Sequence, residues 1–86
     1  MDKTVLDYVE DLKKTKGISV NTEMAYRRDL MKLVRYLADQ GIFEVDKITA
    51  TNLNSYMLYM EKEGLTNTTI SRNIASIKGF FAYLIR

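Results

Sequence analysis

Three of the four glycines, Gly17, Gly41 and Gly64, stand directly after runs of apolar residues at helical spacing, and the chain has no proline to break those runs. Glycine enters the left-handed conformation that ends a helix without a Cβ clash, so these positions read as C-terminal stops. They divide the 86 residues into four helical segments and leave no segment with strand alternation. The spacing predicts a first helix from about Val5 to Thr15, with Thr4 and Asp7 in capping positions and Val5, Tyr8, Val9 and Leu12 on one face. A second helix follows Ser19 and runs to about Asp39, with Tyr26, Leu30, Leu33, Val34 and Leu37 on one stripe. Thr49 caps the third, with Ile48 and Leu53 as a hydrophobic staple and Leu53, Tyr56, Met57 and Met60 facing inward. Thr66 caps the fourth, its staple being Leu65 against Ile70, and its core stripe passes through Ile74, Ile77, Phe81 and Leu84. The segment from Gly41 to Lys47 makes a longer turn. The expected fold is all-α, a compact four-helix bundle in a single domain over residues 1–86. Its core includes Leu12, Leu30, Leu33, Leu37, Leu53, Met57, Ile70, Ile74, Ile77 and Phe81.

Composition removes several kinds of chemistry. Cys and His are both absent, which excludes disulfides, thiolate metal sites and the common zinc geometries, so no metal and no cofactor are expected. No apolar run approaches a membrane span and no secretion signal is present, so the expected location is cytoplasmic. The net charge of +2 is too small to name a partner, but its distribution is uneven. Residues 66–86 hold three basic side chains and no carboxylate.

Rotating the second helix by 100° per residue gathers Arg28, Lys32 and Arg35 opposite the apolar stripe, with Met24 and Met31 alongside. Asp29 and Glu23 dilute this ridge without sharing its centre. A solvated face that keeps the domain soluble is the plainer account of the ridge, and a nucleic-acid face the sharper one. On the fourth helix the face opposite the expected core carries Thr68, Arg72, Ala75 and Gly79, flanked by Thr69, Ser71, Ser76 and Lys78. Small residues permit close approach, hydroxyls donate to phosphate, and Arg takes phosphate or guanine bidentately. Backbone N–H groups at Asn67, Thr68 and Thr69 add an anion-favouring helix start. The same small residues could equally form a groove for another helix, and Gly79 inside a helix calls for a packing reason. Arg72 is expected to be exposed and replaceable by Ala without loss of stability. Of six tyrosines, Tyr8, Tyr26 and Tyr56 fit core stripes, and Tyr36, Tyr59 and Tyr83 fit cover at a core edge. None has the Arg and His partners that a phenol attacking phosphate needs, so no catalytic residue is assigned.

Two stretches carry a family resemblance over nearly the whole chain. One is Ser19-Val20-Asn21-Thr22 running into Tyr26-Arg27-Arg28-Asp29-Leu30, followed by Ile48-Thr49. The other runs from Leu65-Thr66-Asn67-Thr68-Thr69-Ile70-Ser71-Arg72 through Ile74-Ala75-Ser76-Ile77-Lys78-Gly79-Phe80-Phe81-Ala82-Tyr83-Leu84. Together they resemble the N-terminal, SAM-like core-binding domain of phage-type integrases and Xer-type tyrosine recombinases. The resemblance implies an orthogonal four-helix clamp half that sits on double-stranded DNA through its second and fourth helices. It places the family's contacts at Thr22, Arg27, Arg28, Thr69 and Arg72; the faces read above add Arg35, Thr68 and Ser76. Asn73 stands where the family often has a basic residue. The family's tyrosine nucleophile belongs to a downstream catalytic domain, which this chain lacks. The chain is therefore expected to bind and not to cleave, ending at Arg86 about where a linker would begin. Its implied partners are duplex DNA, the parent enzyme's own catalytic domain and neighbouring recombinase protomers on DNA, with the isolated domain a monomer. Two other functions compete: a protein–protein module whose fourth-helix face and exposed methionines dock a partner helix, and a complete small regulator, which would have to dimerise.

Overall fold

A computed structural model describes residues 1–85; Arg86, the expected start of a linker, lies outside the described residues. Four α-helices account for most of it: α1 (Asp2–Lys16), α2 (Val20–Asp39), α3 (Ala50–Lys62) and α4 (Asn67–Leu84), with one 3₁₀ turn at Val45–Lys47. No strand occurs among the described residues. The domain is a slab, 33 × 29 × 17 Å, so a large share of each helix faces solvent.

The helix ends sit where local chemistry puts them. Gly17, Gly41 and Gly64 all have positive φ, at 59°, 81° and 78°. Ser19, Thr49 and Thr66 each accept a hydrogen bond from the backbone N–H three residues on. The residues of both expected staples, Ile48 and Leu53, and Leu65 and Ile70, pack on the same core cluster. Helix α1 departs from the sequence reading. It begins at Asp2 with Met1 as its cap and no side-chain cap bond, so Thr4 and Asp7 lie inside the helix rather than at its start.

Two apolar clusters hold the helices together. Val5, Tyr8 and Val9 of α1 meet Leu30 of α2 and Phe80 of α4 in one. Leu33 and Leu37 of α2 meet Tyr56 and Met60 of α3 in the other, and Ile77 packs on both. Helix α4 is rotated from its expected phase by less than one 100° residue step. Its buried residues are Asn73, Ser76 and Phe80, while Ile70, Ile74, Ile77 and Phe81 are only half-buried. Leu12, Leu53 and Met57 are likewise half-buried rather than central. Burial of the two polar residues is tolerated because each satisfies its own helix: Asn73 Nδ2 donates to the Thr69 carbonyl at 2.8 Å and Ser76 Oγ to the Arg72 carbonyl at 3.1 Å.

The rotation explains Gly79. A Cβ there would overlap the hydroxyl end of Tyr8 where α1 closes on α4, which gives the glycine a packing reason within the domain. Tyr8 is itself fixed by tilted ring contacts with Phe80 and Tyr83, at 5.7 and 5.4 Å between centroids. Two further expectations change. Tyr26 is half-buried and outside both clusters, and Met31 packs on the first cluster instead of standing beside the basic ridge.

Candidate nucleic-acid interface

Helices α2 and α4 start with the same device. Ser19 Oγ accepts from Thr22 N–H at 3.2 Å and donates to Thr22 Oγ1 at 3.1 Å; Thr66 Oγ1 accepts from Thr69 N–H at 3.2 Å and donates to Thr69 Oγ1 at 3.0 Å. A capping box usually places Glu or Gln at the third helical position. Thr at this position keeps a carboxylate away from the positive end of the helix, and its own O–H remains able to donate outward. Helix α4 has no acidic residue in its first turn, whereas α2 has Glu23. That carboxylate is drawn toward α1, 3.5 Å from Lys13 Nζ.

The seam between the two helices is fastened by Arg72. Its Nε donates to Asp29 Oδ2 at 2.7 Å and its Nη2 to Asp29 Oδ1 at 3.0 Å, a two-point contact in the planar geometry a guanidinium favours. Hydrogen bonding to Asp29 raises the Arg72 pKa, against an opposing effect of desolvation, so the group stays cationic. Arg72 is thus not the freely exposed residue the sequence suggested. Its side chain is 37% exposed, against 4% for Asp29. Two of its five N–H donors are committed, leaving three for a ligand at the surface.

Around this seam the sequence-assigned residues separate. Arg27, Arg28, Lys32 and Arg35 are exposed on α2 and make no ion pair among the described residues. Lys32 lies one turn beyond Asp29, so the ridge runs beside the seam. Thr68 is exposed on α4; Thr22 and Thr69 are half-buried in their capping contacts. Ser76 is corrected outright: it is 0% exposed, so it lies beneath the surface and offers nothing to a bound ligand. The face α4 does expose is Thr68, Ser71, Ala75, Lys78 and Ala82. The sequence reading put Ser71 and Lys78 on its flanks, an error of phase rather than of composition.

A second feature escaped the sequence reading. Tyr36, Tyr56 and Tyr59 form an aromatic cluster between α2 and α3, with centroids 5.1 to 6.0 Å apart. Beside it lies a cleft of about 310 Å³ lined by Lys32, Arg35, Tyr36, Asp39, Gln40 and Tyr59. Tyr36 belongs to α2 and Tyr56 and Tyr59 to α3, so only the packing brings the three together. Among the described residues no group of acidic side chains could hold a metal ion, and no helix is long and apolar enough to cross a membrane.

Residues 5–86 match the family model described as the phage integrase N-terminal SAM-like domain. Tyrosine recombinase XerC of Listeria welshimeri is 29% identical over 86 residues, and tyrosine recombinase XerD of Oceanobacillus iheyensis 32% identical over 87. Both alignments cover 100% of this chain but only 28% and 29% of the relative. A putative tyrosine recombinase of Caldanaerobacter subterraneus is 35% identical over 83 residues, covering 96% of this chain and 28% of that protein. The chain therefore spans less than a third of the length of these curated relatives, and the match is to their N-terminal, non-catalytic part. No solved structure matches the chain.

Proposed function

Since the chain belongs to the phage integrase N-terminal SAM-like domain family, we propose that it binds double-stranded DNA in the cytoplasm as one half of a recombinase clamp, through α2 and α4. The observation that carries this reading is the pairing of an unneutralised cationic ridge with a small, hydroxylated helix face across one seam. Arg27, Arg28, Lys32 and Arg35 supply charge without carboxylate partners among the described residues. Thr68, Ser71, Ala75 and Lys78 let α4 come close to a backbone, and Thr22, Thr69 and the free donors of Arg72 supply hydrogen bonds. The chain contributes no catalytic group to this reading, and the cleaving tyrosine belongs to a further domain of the parent enzyme. By itself the domain acts as a monomer; in the parent it adjoins the catalytic domain and neighbouring protomers on DNA.

The docking-module alternative draws less support, because Gly79 is already filled by Tyr8 and Met31 by the core. Titration against random duplex DNA at two salt concentrations tests the proposal. Phosphate neutralisation gives a steep linear fall of log affinity with log salt, and half a clamp should bind in the non-specific range of about 10⁻⁴–10⁻⁶ M near physiological salt. Binding insensitive to salt, or none at low salt, would refute it.

A further inference from the structure

The cleft between α2 and α3 adds an aromatic wall and a polar end, which the duplex-binding reading does not use, to two cations that it does, Lys32 and Arg35. Its wall is aromatic: Tyr59 is 42% exposed, and its ring stands 5.1 Å from that of Tyr36 at a 40° tilt. Interaction with the Glu63 carboxylate raises the pKa of the Tyr59 hydroxyl, which stays protonated. Its α2 rim is cationic. Lys32 and Arg35 border it from α2, and Lys62 borders the adjoining hollow that shares Tyr36 and Tyr59. Its far end is polar, where the Asp39 carboxylate can accept and the Gln40 amide can both donate and accept. Along α2 the Asp39 end lies about 10 Å from Lys32 and about 6 Å from Arg35. A volume of about 310 Å³ lies at the small end of ligand clefts.

We propose that this cleft is a docking site for an unpaired nucleobase of a DNA strand, stacked on Tyr59 and Tyr36 with its phosphates on Lys32 and Arg35. A single strand presents both a π-face and a phosphate, and stacking platforms flanked by cations are how proteins hold one without reading its sequence. The polarity of the cleft orients the ligand: Asp39 repels phosphate and, with Gln40, admits a base edge, while Lys32 and Arg35 take the phosphates. A base locked in a duplex has its faces covered, so it cannot use the tyrosines. The site thus goes beyond duplex binding and distinguishes strand states.

The test compares three ligands by NMR titration of the domain: an eight-nucleotide oligothymidylate, an abasic oligonucleotide of equal length, and a 20-base-pair duplex. The base-bearing strand should bind about tenfold more tightly than the abasic one, with the largest shifts at Tyr36 and Tyr59. Tyr59→Leu should abolish that preference and Tyr59→Phe should keep it, with circular dichroism confirming that both variants fold. Duplex affinity should be unchanged by Tyr59→Leu and lowered by Arg28→Ala, which lies outside the cleft. Equal affinity for the abasic and base-bearing strands, or a preference that survives Tyr59→Leu, would overturn the proposal. Loss of duplex binding with the base preference intact would count against the clamp reading alone.

Discussion

Arg72 of α4 and Asp29 of α2, 43 residues apart in sequence, are joined by two hydrogen bonds of 2.7 and 3.0 Å. The carboxylate is almost wholly buried, and the guanidinium is its partner at the seam of the proposed DNA face. In the proposed function this one contact serves both stability and recognition. Removing either partner has different consequences for each.

Arg72→Ala leaves the Asp29 carboxylate buried and unpaired. The expected cost is about 2 kcal/mol, below the roughly 3–5 kcal/mol of a fully buried pair because the Arg72 side is partly solvated. At about 4–8 °C per kcal/mol, thermal denaturation should show a loss of at least about 8 °C. Replacing Asp29 with Leu in the Arg72→Ala background should recover part of it. An unchanged melting temperature for Arg72→Ala would mean that the pair contributes nothing.

Arg28→Ala touches no ion pair among the described residues and should leave stability within about 0.5 kcal/mol. Duplex affinity should weaken alike for all sequences, with the salt slope reduced by about one contact. Lys78→Ala should behave in the same way, since Lys78 is exposed on α4. If both variants bind with the wild-type salt slope, the ridge is only a solvated face.

The phase of α4 is checked by a pair of truncations. Phe80 is 1% exposed and joins α1, α2 and α4, so Phe80→Ala should cost about 3–5 kcal/mol. Phe81 is half-buried, so Phe81→Ala should cost clearly less. Equal losses in chemical denaturation would restore the apolar stripe expected from sequence.

Gly79→Ala is a substitution that helix propensity alone would favour by about 1 kcal/mol. Overlap with the Tyr8 hydroxyl reverses the sign, and the variant should be less stable by about 1–3 kcal/mol. Because the nearest obstacle is the hydroxyl oxygen, Tyr8→Phe should relieve much of the loss. A stabilised Gly79→Ala variant would contradict this close approach.

Burial raises the Tyr56 pKa from 10.0 to about 12, with smaller contributions from Asp29 and Tyr59. The folded state thus holds its proton more tightly than the unfolded chain. Stability from this group is fully present below pH 10 and is lost as pH rises through the 10–12 window. Melting temperature against pH should fall across that window, and Tyr56→Phe should flatten the fall. An identical alkaline profile in the variant would assign the loss to other groups.

Apart from the start of α1, which has no side-chain cap, helix boundaries were legible in the sequence because their chemistry is local. A cap at Ser19, Thr49 or Thr66 needs only the backbone N–H three residues on, and a stop at Gly17, Gly41 or Gly64 needs only a residue free of Cβ. The exposed cations of α2 were legible too, because Leu30, Leu33 and Leu37 leave one inward direction for that helix. Helix α4 offered two faces less than one residue step apart, one through Ile70, Ile74, Ile77 and Phe81 and one through Asn73, Ser76 and Phe80. Apolar count favours the first. The packing chose the second, because Asn73 and Ser76 satisfy their polar groups within the helix and Gly79 lets Tyr8 approach. With that rotation Ser76 left the surface and Arg72 met Asp29. Likewise, Tyr36 and Tyr59 came together across two helices. Contacts of this kind depend on the relative rotation of whole helices, which side-chain periodicity within any one helix does not encode.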